Sequence, residues 1–134
     1  IEEILNSDNS IFEKIELIAE QYISALMRNQ FIPLFVLHEI NRNPKRLYEL
    51  MQQVGITPVK LVEQIQQEIK KGNIINIRPE QLIINLLSLC VFPIAGRPLL
   101  QRVFFHNDKR QYKQFLESRK KEVPQFVINS IKAK

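Results

Sequence analysis

His38 and Glu39 are the two strongly polar side chains in an otherwise apolar run, FIPLFVLHEI, from Phe31 to Ile40. A short helix from Pro33 to about Asn41 would carry Leu34, Phe35, Val36, Leu37 and Ile40 around its whole circumference, which is the pattern of a buried helix. His38 and Glu39 are then either hydrogen-bonded core groups or the polar points of a binding cavity. In the first case Glu39 serves only to brace the Asn41 to Asn43 turn. A nucleophile is poorly supported. Cys90 is the single cysteine and lies in an apolar stretch with no histidine near it in sequence, and burial would raise its pKa. His38 and His106 stand too far apart to suggest a metal pair. There is no HExxH, no GxSxG and no phosphate loop among three scattered glycines,. These residues point to binding, with no catalytic group, metal or cofactor expected.

The elements that must position them are helices. Ser10 with Glu13 three residues on is a capping box, so a helix is predicted from Ile11 to about Asn29. Its apolar residues Ile11, Ile15, Ile18, Tyr22 and Leu26 recur at three and four residues and define a core-facing stripe. Ile1 to Asn6 could be the tail of an earlier helix. Asn43 followed by Pro44 is a cap and a first helical position, predicting a second short helix from Pro44 to about Val54, closed by Gly55. Thr57 and Pro58 repeat the device before Val59 to about Lys71, with Gly72 and Asn73 as its stop.

Asn73 to Arg78 reads as an extended connector too isolated to be a sheet. Pro79 then opens a helix through about Val91 that is apolar nearly all round, leaving Gln81, Asn85 and Ser88 as a thin polar stripe. Pro93, Gly96 and Pro98 predict an irregular break before a short helix from Pro98 to about Phe105. The last helix, Lys109 to Ile131, keeps one apolar phase through Tyr112, Phe115, Leu116, Arg119, Val123, Phe126, Val127 and Ile131, so Pro124 should kink it without ending it. The fold class expected is all-α.

At 134 residues the chain is one domain by size,. Residues 1–96 carry nine Lys/Arg against eleven Asp/Glu, and residues 97–134 carry ten against three. The basic charges of the last helix are spread along it without aromatic interleaving for base stacking, so a solvated face explains them better than nucleic-acid binding. A lone cysteine fits a reducing, cytoplasmic setting. The longest apolar stretch, Leu82 to Ala95, is interrupted and falls short of the ~20 residues of a spanning helix, so no membrane partner is expected. A start at Ile1, without methionine, suggests a fragment of a longer protein.

The order of a capped amphipathic helix, FIPLFVLHEINRNPKRL, TPVKLVEQIQQEIKKGNI, RPEQLIINLLSLCVFP and a final LESRKKEVPQFVINSIK resembles the C-terminal effector-binding and dimerisation domain of the TetR/AcrR family of bacterial transcriptional regulators. The resemblance spans essentially the whole chain, residues 1–134. It implies an orthogonal multi-helix bundle and a homodimer in which the last two long helices of each subunit, residues 79–91 and 109–131, form an intersubunit four-helix bundle. Both helices have apolar surface to spare. Asn85, Ser88, Leu89, Phe115, Val123, Phe126 and Val127 are the candidate interface residues, in an interface on the order of 2,000 Å² or less.

The resemblance also implies a mostly apolar pocket between the earlier helices for a small hydrophobic or amphipathic effector. Tyr22, Phe35, His38, Glu39, Met51, Cys90, Phe92 and Phe104 are its candidate lining. Operator DNA would be met only through the family's N-terminal helix-turn-helix, which would precede Ile1. Effector binding would shift the dimer's population between states and change the spacing of two reading heads that must match half-sites about 34–36 Å apart or a multiple of that.

Two other function classes compete. A helical interaction module without a small-molecule pocket shares the buried helices and the apolar C-terminal face; a closed cavity under Phe31 to Ile40 separates it from the sensor. Direct nucleic-acid binding would require Lys113, Arg119, Lys120 and Lys121 on one exposed stripe.

Overall fold

Helix α2, Ile11–Arg28, is the element that the rest of the chain packs around in the computed structural model, which describes residues 2–133. The other helices are α1 (Glu2–Leu5), α3 (Ile32–Arg42), α4 (Pro44–Gln53), α5 (Val59–Lys70), α6 (Pro79–Ala95), α7 (Arg97–Phe105) and α8 (Lys109–Ile131). The described residues are all-α. The Ile1 end of the expected first segment lies outside them.

The caps at Ser10 and Asn43 form as expected, and Asp108 caps the last helix, whereas α5 begins one residue later than the Thr57–Pro58 pair predicted, with Pro58 at the cap position and no side-chain cap bond. The Glu13 N–H donates to Ser10 Oγ at 3.2 Å, and the Arg46 N–H to Asn43 Oδ1 at 3.3 Å. Asp108 Oδ1 accepts from the N–H groups of Arg110 and Gln111. Each satisfies a donor that the first turn of a helix leaves without an internal partner. Gly55 and Gly72 both take positive φ, near +80° and +76°, where a side chain would be strained,.

The main core is built from Ile11, Ile15, Ile18, Ala19 and Ile23 of α2, Leu61 and Ile65 of α5, Leu82, Leu86 and Cys90 of α6, and Val123, Val127 and Ile131 of α8. A second cluster joins Leu26 of α2 and Ile94 of α6 to Tyr112 and Leu116 of α8. The connector after α5 is extended, as predicted. Ile74 is buried, and the Ile75 N–H donates to the Ile131 carbonyl at 2.8 Å, which fastens the connector to the end of α8.

Lys14 is the core residue that periodicity passes over. It lies on the same stripe as Ile11, Ile15 and Ile18, is fully buried, and donates from Nζ to the Leu5 carbonyl at 3.2 Å. Burial lowers its pKa, with the Lys60 charge acting the same way. Lys60 and Gln64 donate to the carbonyls of Asn6 and Asn9 at 2.7 and 2.9 Å. The turn between α1 and α2 is therefore held by side chains from α2 and α5.

Two expectations fail. The first is the buried central helix. In α3 only Pro33 is buried, while Leu34, Phe35, Leu37 and Ile40 are exposed, and α4 buries nothing. An apolar circumference favours cover on all sides but cannot supply the neighbours. Within this chain α3 packs chiefly on α4 and α6, too few to enclose it.

The second is the break after Val91. Helix α6 runs through Pro93 to Ala95, and α7 follows at a bend of 76°. Proline lacks the N–H that would bond the carbonyl four residues back. Here that carbonyl, of Leu89, accepts from Arg119 Nη2 at 2.8 Å, and the Tyr112 hydroxyl donates to the Pro93 carbonyl at 2.6 Å. Two side chains of α8 thus supply donors that the α6 backbone cannot. Because Leu89 pairs with Arg119 while the later Pro93 pairs with the earlier Tyr112, α6 and α8 run antiparallel. Pro124 does not end α8, as the continuous apolar phase predicted.

Candidate functional site

Two exposed apolar surfaces dominate the outside of the bundle. One belongs to α3 and α4, where Phe31, Leu34, Phe35, Tyr48, Leu50 and Val54 are exposed. The other spreads over α6, α7 and α8 and presents Ile84, Leu87, Phe92, Leu99, Val103, Phe104 and Phe126. Scattered apolar side chains are ordinary on a protein surface, whereas runs of them on consecutive elements mark interaction surfaces.

The candidate ligand residues do not come together. Phe35, His38 and Met51 lie exposed on α3 and α4, with Glu39 half-buried beside them. Cys90 is inside the core, and Tyr22 is half-buried, its phenol pushed up chiefly by burial and further by any charge on the Cys90 thiol. Burial pushes the Cys90 thiol up to about 12 against the nearby Arg119 charge, so it is a packed, unreactive thiol. Phe92 and Phe104 are exposed on α6 and α7. A residue's phase places it on one face of its own helix; it does not say which faces meet.

The candidate interface residues divide more usefully. Asn85 and Ser88 are exposed on α6, Phe126 is 65% exposed on α8, and Leu89 and Phe115 are half-buried. Val123 and Val127 are instead sealed in the chain's own core at 1% and 2% exposure and offer nothing to a partner. Phe126 and Val127 are adjacent in sequence and therefore about 100° apart on the helix, so one faces out while the other faces in.

Arg119, which shares the apolar phase of α8, is half-buried. Its guanidinium lies 5.9 Å from the centre of the Phe115 ring. One Nη2 hydrogen reaches Leu89, and the buried Nε has no acceptor. With Arg119 turned to α6, the four basic residues of the nucleic-acid alternative do not share one exposed stripe. Lys120 pairs with Glu117 at 2.9 Å, and with Lys121 it lines an open groove of about 680 Å³ between α2 and α8. Glu16, Glu20 and Glu117 line the same groove. Such alternating charges are a solvated seam between two helices.

A smaller, wholly apolar cleft of about 260 Å³ lies between α7 and α8, walled by Leu100, Phe104, Phe105, Tyr112 and Phe115. The rings of Phe105, Tyr112 and Phe115 stand 5.2 to 5.5 Å apart, distances typical of packed aromatic pairs. The corner between the helices is fixed by His106 and Asn107, both left-handed at φ 51° and 61°. Buried Gln101 closes it, donating from Nε2 to Asn107 Oδ1 at 2.7 Å. Sequence reading passed over this cleft, although FF before HND and YKQF after it held the signal.

Among the described residues no group of three or more His, Cys, Asp or Glu could hold a metal ion, and no single helix is long and apolar enough to cross a membrane. No family model, curated protein or solved structure matches the chain.

Proposed function

We propose that this chain is the effector-binding and dimerisation domain of a TetR/AcrR-type bacterial transcriptional regulator, working in the cytoplasm as a homodimer. The observation that carries it is the exposed apolar strip on α6 and α8, Ile84, Leu87 and Phe126, on two antiparallel helices whose opposite faces build the core. Two such pairs, one from each subunit, would bury those strips in a four-helix bundle. Asn85 and Ser88 then lie at the rim or seam. The effector is a small hydrophobic or amphipathic molecule that fits one arrangement of the helices better than another, and it shifts the dimer by no more than that difference in affinity. Operator contact belongs to a helix-turn-helix domain outside this chain.

A second function, a helical interaction module without a ligand pocket, is favoured by the open α3–α4 surface. Native mass spectrometry of the purified chain, followed by denaturation and analysis of what is released, separates the two. A dimer carrying an apolar small molecule supports the sensor. An empty dimer supports the interaction module, and a monomer at micromolar concentration removes both dimeric forms.

A further inference from the structure

Helix α7 is turned inside out. Its one buried residue is polar, Gln101, held by Asn107, and the ring that packs inward is Phe105, against Tyr112 and Phe115 of α8. Leu99, Val103 and Phe104 point to solvent at 66%, 60% and 70% exposure. At about 100° per residue, Leu99, half-buried Leu100, Val103 and Phe104 fill one sector of about 140° that excludes Gln101,. The same geometry puts Arg102 next to Leu99 at one edge of that sector and Arg97 next to Phe104 at the other. The apolar surface continues across the elbow into α6, because the exposed Phe92 ring lies against Gly96, where a Cβ would meet it at 3.3 Å.

The charge of this segment decides what can cover the face. Residues 97–113 carry Arg97, Arg102, Lys109, Arg110 and Lys113 against Asp108 alone. Among the described residues none of the five has a carboxylate within ion-pair distance. Asp108 is engaged at the start of α8, accepting from the N–H groups of Arg110 and Gln111. A second copy seated on the same patch about a two-fold axis would set identical cations against one another, which is unfavourable. A small apolar molecule is held by a concave pocket, whereas the outer face of a helix is convex. An anionic bilayer matches both features: a helix lying in its interface buries an apolar face at the acyl boundary and keeps flanking Lys/Arg at the lipid phosphates. Such a contact is interfacial and not spanning, since α6 and α7 meet at 76° and α6 keeps Leu82, Leu86, Cys90 and Ile94 in the core.

We infer that α7 docks the chain on an anionic lipid surface, with Leu99, Val103 and Phe104 at the acyl boundary and Arg97 and Arg102 at the phosphates. This face uses none of Ile84, Leu87 and Phe126, the strip of the proposed dimer, so docking and dimerisation do not depend on each other.

The chain has no tryptophan, so one placed in it reports a single position. In the 134-residue chain, Val103→Trp is expected to shift its emission to the blue on vesicles of equimolar phosphatidylcholine and phosphatidylglycerol. Leu50→Trp, on the other exposed apolar surface, should stay unchanged. In co-sedimentation with the same vesicles, the double variant Arg97→Gln, Arg102→Gln should bind more weakly by roughly five-fold per cation, about twenty-five-fold for the pair. Val103→Asp, at an exposed position, should keep its helical circular dichroism and lose the vesicles. Equal binding to phosphatidylcholine alone would overturn the inference, as would a blue shift at Leu50→Trp without one at Val103→Trp. Retention on polyglutamate but not on vesicles would also overturn it and make α7 the seat of an acidic protein.

Discussion

The carbonyl oxygen of Leu89 is left without a helical donor by Pro93, and Arg119 Nη2 occupies that place at 2.8 Å. A defect in one helix is thus repaired by a charged side chain of another, and α6 and α8 are locked in register by it. Arg119→Met is expected to lower stability by about 1.5–3 kcal/mol, the worth of a hydrogen bond from a charged donor. Pro93→Ala restores the missing N–H, so the same arginine substitution should cost less in that background. Urea denaturation of the four proteins of the cycle measures the coupling; additive costs would mean that Arg119 and Pro93 act independently.

Tyr112 makes the companion contact, with its hydroxyl 2.6 Å from the Pro93 carbonyl and its ring fully buried. Tyr112→Phe keeps the packing and removes the donor. It should cost on the order of 1–2 kcal/mol without loss of fold, read as a lower urea midpoint at unchanged slope.

Phe126 and Val127 should respond oppositely to the same charge. Phe126→Asp, on an exposed position, is expected to leave the melting of the monomer within about 0.5 kcal/mol of the parent and to dissociate the proposed dimer, as seen by sedimentation or light scattering. Val127→Asp buries an unpaired carboxylate in the core and should unfold the chain,. If Phe126→Asp stays dimeric, the seam lies elsewhere on the bundle.

Cys90 predicts an alkaline weakness. Its thiol titrates at an ordinary 9.0 when unfolded and is pushed up to about 12 by burial in the fold. Between those values the unfolded chain has lost a proton that the folded chain keeps, so stability falls as pH rises, by at most ~1.4 kcal/mol per pH unit. Cys90→Ala should flatten that slope relative to the parent, at a constant cavity cost of about 1–2 kcal/mol. Tyr22 and Tyr112, raised by burial, add the same sign of slope to both proteins, and Lys14, lowered by burial, adds the opposite sign to both. The difference between the two proteins therefore reports the thiol together with its charge coupling to Tyr22. A difference independent of pH would show that the thiol is not desolvated.

His38→Ala tests the polar point from which a binding cavity was expected. The side chain is exposed, so stability should change by less than about 0.5 kcal/mol. A larger loss on thermal melting would return His38 to a packed position.

The helix inventory was determined locally, and the sequence therefore held it. Ser10, Asn43 and Asp108 cap the turns that follow them, Gly55 and Gly72 supply positive φ, and the apolar phase of α8 carries the helix across Pro124. These interactions span at most a few residues, so the identity of the residue and its neighbours fixes them. The core stripe of α2 was legible for the same reason, although the buried Lys14 within it was not singled out.

What the tertiary structure decided is which apolar faces find cover. The run from Phe31 to Ile40 is the most uniformly apolar short helix in the sequence, yet it lies on the surface, because enclosure depends on how many other helices reach it. Pro93 ends no helix, because Arg119 and Tyr112 arrive from residues some twenty to thirty positions away with the donors it lacks. The cleft between α7 and α8 exists only once α7 turns back on α8 at the His106–Asn107 corner. Periodicity records one helix's own geometry, whereas burial, the repair of a broken ladder and a cleft are properties of two or more helices held together.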